Sequence, residues 1–220
     1  MAIIHRTTLT PTKLELLTAW LPSRPWYLGT DGAPVLSRNG GFRLDDPQGE
    51  VGIEFLVVTD VSGGGPVAYH VPLSYRGAPL EGAEEALIGT SEHGVLGRRW
   101  IYDGAHDPVP AAELLALLQQ RAEPQAQSLS DTPDPTVVVH FDGTGTEVVA
   151  GAAPPAVAEG PDGTRVTLEG DRRPTLRVTR VLRPADGPPS DASGHVTAGW
   201  RSPDGGELRA VFASLVTTGS

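Results

Sequence analysis

Three side chains in the stretch WIYDGAHDPVPAAELL (100–115) could do chemistry: Asp103, His106 and Asp107. A histidine beside two carboxylates can hold a metal ion or act in an acid–base pair. The same residues also suit a structural turn, with Asp107 capping the next helix and His106 bonded locally. A second set, Trp20, Arg24, Trp26 and Tyr27, is aromatic and basic. Facing outward, its rings could stack on sugars and form a carbohydrate-binding surface. Packed inward, they would form a core with Arg24 stacked over a ring. In both sets the structural reading is the more economical.

Other motifs carry less. Gly63, Gly64 and Gly65 lack the Lys-Ser/Thr and the adjoining helix of a phosphate-cradling loop, and read as a hairpin tip. Glu81, Glu84 and Glu85 could pair as glycosidase carboxylates but read as a solvated face. Arg172, Arg173, Arg177, Arg180 and Arg183 form a basic strip that could meet an anion or an acidic partner. In a strand, alternation would split that strip between two faces. His70 and His93 could join a site only through the fold.

Periodicity sets the elements around these residues. Residues 98–102 read as a strand, 103–107 as a polar turn, and the stretch from Pro108 onward as a helix. Pro108 or Pro110 fits its first turn, and Leu114, Leu115, Leu117 and Leu118 form its apolar face. Upstream, 3–9 reads as a strand. Thr10 is expected to cap a helix with Pro11 in first position, carrying Leu14, Leu17, Trp20 and Leu21 and ending at Pro22. Strands are expected over 40–44, 51–60 and 67–75, with a hairpin turn at 62–65. In the second, Ile53, Phe55, Val57 and Thr59 share one face, and Glu54, Leu56 and Val58 the other. A short helix is expected over 79–88, with Leu80, Ala83 and Leu87 inward. These readings predict an α+β module over 1–121, an antiparallel sheet covered by helices on one side.

The stretch AEPQAQSLSDTPDP (122–135) is polar and proline-rich and reads as a linker or exposed crossing. Strands are then expected over 136–141, 147–150, 165–168, 175–182, 195–201 and 207–215. They predict a small antiparallel β module over 136–220.

Composition narrows the function classes. A formal charge of −10 over 220 residues argues against nucleic-acid binding, which needs clustered cations. No cysteine is present, so disulfides and thiolate chemistry are excluded. No apolar run suits a signal peptide or a membrane span, and the chain reads as cytoplasmic. Nothing calls for a metal or cofactor.

Three segments together resemble the N-terminal cap of actinobacterial maltokinases: AWLPSRPWYLG (19–29), VGIEFLVVTD…YHVPLSYR (51–76) and WIYDGAHDPVPAAELL (100–115). In the first, Arg24, Trp26, Tyr27 and Gly29 keep the family's flavour, with Pro25 inserted between the Arg and the Trp. The resemblance covers roughly residues 1–120 and implies a cap followed by the small lobe of a kinase. TLRVTRVLRPADGPPSD (175–191) then resembles the strand that carries the nucleotide-binding lysine, with Arg177 at the lysine's place.

The parts of a phosphoryl-transfer site are countable, and several are missing. The only lysine is Lys13, on the first helix. Arginine differs from lysine in bulk and reach. His140-Phe141-Asp142 begins a catalytic-loop pattern, but the only asparagine is Asn39. The residues therefore predict a non-catalytic binding or regulatory protein, connected through its resemblance to maltose, glucan or trehalose metabolism. A protein partner or self-association is expected. The alternatives are a carbohydrate-binding module on the aromatic set, and an enzyme at the Asp103/His106/Asp107 turn.

Overall fold

The computed structural model describes residues 9–29, 32–129, 132–142, 150–169, 174–184 and 187–216. The strands expected over 3–9 and 147–150 lie largely outside them. So do Arg172, Arg173 and the tail TTGS.

In chain order the elements are β1 (Leu9–Thr10), α1 (Lys13–Trp20), β2 (Leu36–Leu44), β3 (Gly52–Asp60), β4 (Val67–Arg76), β5 (Leu87–His93), β6 (Gly97–Asp103), α2 (Pro108–Leu118), β7 (Gln125–Ala126), β8 (Val138–Phe141), β9 (Val157–Gly160), β10 (Gly163–Thr167), β11 (Thr175–Val178), β12 (Ala192–Arg201) and β13 (Glu207–Val216). All strand pairs are antiparallel. The sheet runs β1-β5-β6-β4-β3-β2-β12-β13-β11-β10-β9, with β7 beside β2 and β8 beside β12.

The α+β expectation is corrected by this architecture. Strand accounts for 46% and helix for 15%, with two short α-helices among the described residues, so the fold is mainly β. The expected helix over 79–88 is a loop, one 3-10 turn (Glu84–Ala86) and the start of β5. Pro79 and Gly82, the latter at φ +77°, break the backbone there despite helical spacing of the apolar residues. The two helices also lie on opposite faces. Leu17 and Trp20 of α1 pack with Leu56 and Val58 of β3. Leu114 and Leu118 of α2 pack with Ile53, Phe55 and Val57. After Gly52 every residue of β3 is buried.

Helix α1 is capped by Thr12 rather than Thr10. Glu15 at the third helical position completes a capping box: its amide donates to Thr12 Oγ1, and its carboxylate accepts from the Thr12 amide at 2.7 Å. Helix α2 begins as expected, with Asp107 accepting from the Val109 amide at 3.0 Å and Pro108 in first position. Asp107 is fully buried and also takes both prongs of Arg76, each at 2.6 Å. Asp107→Ala removes the cap and strands Arg76. An unfolding cost of about 2–3 kcal/mol is expected by urea titration, with Asp107→Asn losing less because its amide oxygen still caps.

The sheet continues past 122–135. β7 hydrogen-bonds to β2, and β2 meets β12 at Gly40 and Trp200. Glycine is required at this junction. Gly40 has φ +147°, and a Cβ on Gly41 would lie 2.0 Å from the Phe55 carbonyl oxygen. Beyond β11 the chain returns to β4: the His70 amide donates to the Arg180 carbonyl at 2.9 Å, and Tyr69 bridges Val181. Strands β4, β3, β2, β12, β13 and β11 with its extension thereby form a closed hydrogen-bonded circuit. Its interior holds Phe42, Phe55, Val196, Trp200 and Phe212, with α2 packed into the same core. Among the described residues no helix is long and apolar enough to cross a membrane.

Candidate functional site

The turn after β6 separates the three expected residues. Asp103 turns inward, where its carboxylate accepts from the Ala105 amide at 3.1 Å and from Arg180 Nη2 at 2.5 Å. His106 is half-buried beside it. Asp107 points away, into its pair with Arg76. In place of Asp107 the fold supplies Glu159 from β9. One ligand atom each of Asp103, His106 and Glu159 lie within 4.8 Å of one another.

Glu159 also gathers the second expected set. Its carboxylate accepts from Trp26 Nε1 at 3.1 Å, from Arg24 Nη1 at 3.4 Å and from Thr164 Oγ1 at 3.3 Å. Thr164 is its direct cross-strand partner in β10. The polar turn and the aromatic set, over 70 residues apart in the chain, therefore meet at one carboxylate. Only one feature hints at Glu159: a lone acid in an apolar run, AVAEG.

Arg180 is the centre of the cluster. It is fully buried. Nε donates to Thr164 Oγ1 at 2.7 Å and Nη2 to Asp103, while Glu159 lies 3.8 Å away. Its guanidinium carbon sits 5.0 Å from the Trp26 ring centre, a cation–π contact in a dry setting. Nη1 has no partner among the described residues. Three oxygen and nitrogen ligands at this spacing could hold a cation. However, Asp103 is already neutralised by a buried guanidinium at hydrogen-bond distance, so an added cation would face Arg180 directly. The arrangement is an ion-pair junction.

The aromatic residues form a packed run. Trp26 is fully buried, and Trp20 nearly so. Trp20 meets Trp26 edge-on at 5.8 Å, and Arg24 lies 4.8 Å over the Trp20 ring. Tyr27 stacks near Tyr69 and donates to Asp60 at 2.7 Å. Burial and the Asp60 carboxylate push the Tyr27 hydroxyl well above its usual range. Burial works to raise Asp60, but hydrogen bonds from Ser62, Tyr27 and Val35 hold its carboxyl below the usual value.

The remaining candidates fall elsewhere. Gly63 to Gly65 form an exposed turn between β3 and β4, with no helix after it. Lys13, the only lysine, pairs with buried Glu54 at 2.5 Å. Arg177 is bidentate to Asp191. His140 sits 3.0 Å from Asp142 and opposite His195 on β12.

Residues 20–107, 88 of the 220, match the family model described as the maltokinase N-terminal cap domain. No curated protein matches the chain. The matched segment runs from Trp20, at the end of α1, to Asp107, the cap of α2. It contains Arg24, Trp26, Asp103 and His106, whereas Glu159, Thr164 and Arg180 lie beyond it. Over residues 20–107 the chain is thus similar to the maltokinase N-terminal cap domain, and a buried carboxylate–arginine junction ties that segment to β9, β10 and the stretch after β11.

Proposed function

We propose that the protein is a non-catalytic binding or regulatory module of the maltokinase-cap kind, acting on a protein partner or on a second copy of itself. Its connection to maltose, glucan or trehalose metabolism is part of the proposal and rests on the cap resemblance. One observation carries the reading. The polar groups that could do chemistry are tied to one another inside the fold: Asp103 to Arg180, Asp107 to Arg76, Glu159 to Trp26 and Arg24. A general acid or base needs a reacting atom within hydrogen-bond reach, and these carboxylates face guanidinium and indole N–H groups instead. Lys13, held by Glu54, supports the same reading for phosphoryl transfer.

The test is direct. The chain is incubated with ATP, Mg²⁺ and maltose or glucose, and ADP is measured while light scattering follows its mass. The expected result is no sugar-dependent ADP release. Turnover that disappears in His106→Ala would overturn the proposal and place an enzyme at the turn.

A further inference from the structure

The outer face of β10, β11 and β13 carries an open groove of about 440 Å³, lined also by Arg183, Gly187 and Pro189. Arg165 and Arg177 are direct cross-strand partners there, so both project from the same face. Ser214 continues the row on β13. Asp162 is the one carboxylate among the described residues of the lining.

Two features make this pair of arginines unusual. Like charges placed opposite each other in a sheet repel. Arg165 has no carboxylate partner among the described residues, whereas Arg177 is fixed by Asp191 at 2.9 and 3.2 Å. The groove also concentrates cations on a chain of net charge −10, which focuses a local positive potential. Arg177 has five N–H donors, and Asp191 occupies only one face of the fork.

We propose that this groove binds a small phosphorylated molecule, with its phosphate between Arg165 and Arg177. Guanidinium groups on neighbouring strands, with Cβ atoms about 5 Å apart, suit a tetrahedral anion that offers oxygens to both. A planar carboxylate already fills the one-arginine position, as Asp191 does. The volume accommodates a ligand of monosaccharide or nucleotide size, and Thr179 and Ser214 line it beside the arginines. The proposal does not depend on the non-catalytic reading. Sugar-dependent turnover would refute that reading and leave the groove standing, whereas absent binding would refute the groove alone.

Isothermal titration of the full chain with inorganic phosphate, glucose 6-phosphate, AMP and uncharged glucose tests it. The phosphorylated compounds should bind, glucose should give no heat, and added salt should weaken binding. Whether the sugar phosphate or AMP binds more tightly identifies the ligand's neutral part. Arg165→Gln should weaken binding about tenfold and Arg165→Glu abolish it. Arg98→Gln, an equal change of charge at an exposed pair on β6, should leave affinity unchanged. The proposal is overturned if no phosphorylated compound binds up to about 10 mM. It is equally overturned if Arg165→Gln binds as the parent does, or if Arg98→Gln loses as much.

Discussion

Arg180→Met will destabilise the protein by about 3–5 kcal/mol, because it leaves Asp103 as a buried charge without its partner. Arg180 and Asp103 are 0% and 1% exposed, so water cannot replace the lost contact. The same substitution removes the donor to Thr164 and the cation over Trp26. Arg180→Lys should recover little, since one ammonium cannot reach Thr164 and Asp103 while stacking on the indole. The check is the urea midpoint of four proteins: parent, Arg180→Met, Asp103→Asn and the double variant. The double variant should cost clearly less than the sum of the singles, with a coupling of about 1–3 kcal/mol. Additive losses, or a loss in Arg180→Met below about 1 kcal/mol, would show that the junction behaves as a solvated surface pair.

Acid will destabilise the protein through His70 as the pH falls below 6.5. His70 is fully buried between Phe55 and Phe212. Its Nδ1–H donates to the Thr179 carbonyl at 2.9 Å, which fixes the neutral tautomer and leaves Nε2 without a partner among the described residues. Burial, then the Arg180 charge, lower its pKa from 6.5 to about 3. Between those values the unfolded chain binds the proton and the folded chain does not, so stability is full above pH 6.5 and falls as the pH drops. At 1.36 kcal/mol per pH unit, the descent from 6.5 to 4.5 should cost about 2–3 kcal/mol. His70→Phe should flatten this slope, whatever it does to stability at neutral pH. Urea midpoints measured across that window decide the matter. An unchanged slope in the variant would assign the acid sensitivity to other groups.

Some of this architecture is legible in local sequence. The stretch 98–118 combines alternation, an Asp-Pro helix start and a leucine face, and each signal is complete within a few residues. Strand β3 is legible for the same reason, and its two expected faces do enter two different cores. The segment 79–88 misleads because Leu80, Ala83 and Leu87 keep helical spacing while Pro79 and Gly82 forbid the helix. One-sided helix cover fails because periodicity tells which face of a helix is apolar, not which side of a sheet it meets. Arg180 stands in sequence within a basic strip. Alternation correctly separates it from Arg177 and Arg183, but only the packed fold shows that its side is the covered one. Glu159 shows in the sequence only as a lone acid in an apolar run, because its meaning comes from Trp26, 133 residues earlier.

The circuit of strands closes where the amide of His70 meets the carbonyl of Arg180, and where His70 Nδ1 meets Thr179, 109 residues further along. Such a seam has high contact order, so its loop-closure entropy must be met before its contacts reward it. On a ribosome, which releases the chain from its N-terminus, residues 20–107 would emerge well before Arg180, Val196 and Phe212 are available to fill the interior. Until then β4 presents open backbone and Asp103 awaits its counter-ion. Residues 20–107 are therefore a late-maturing part of the nascent protein, dependent for completion on strands made well after them.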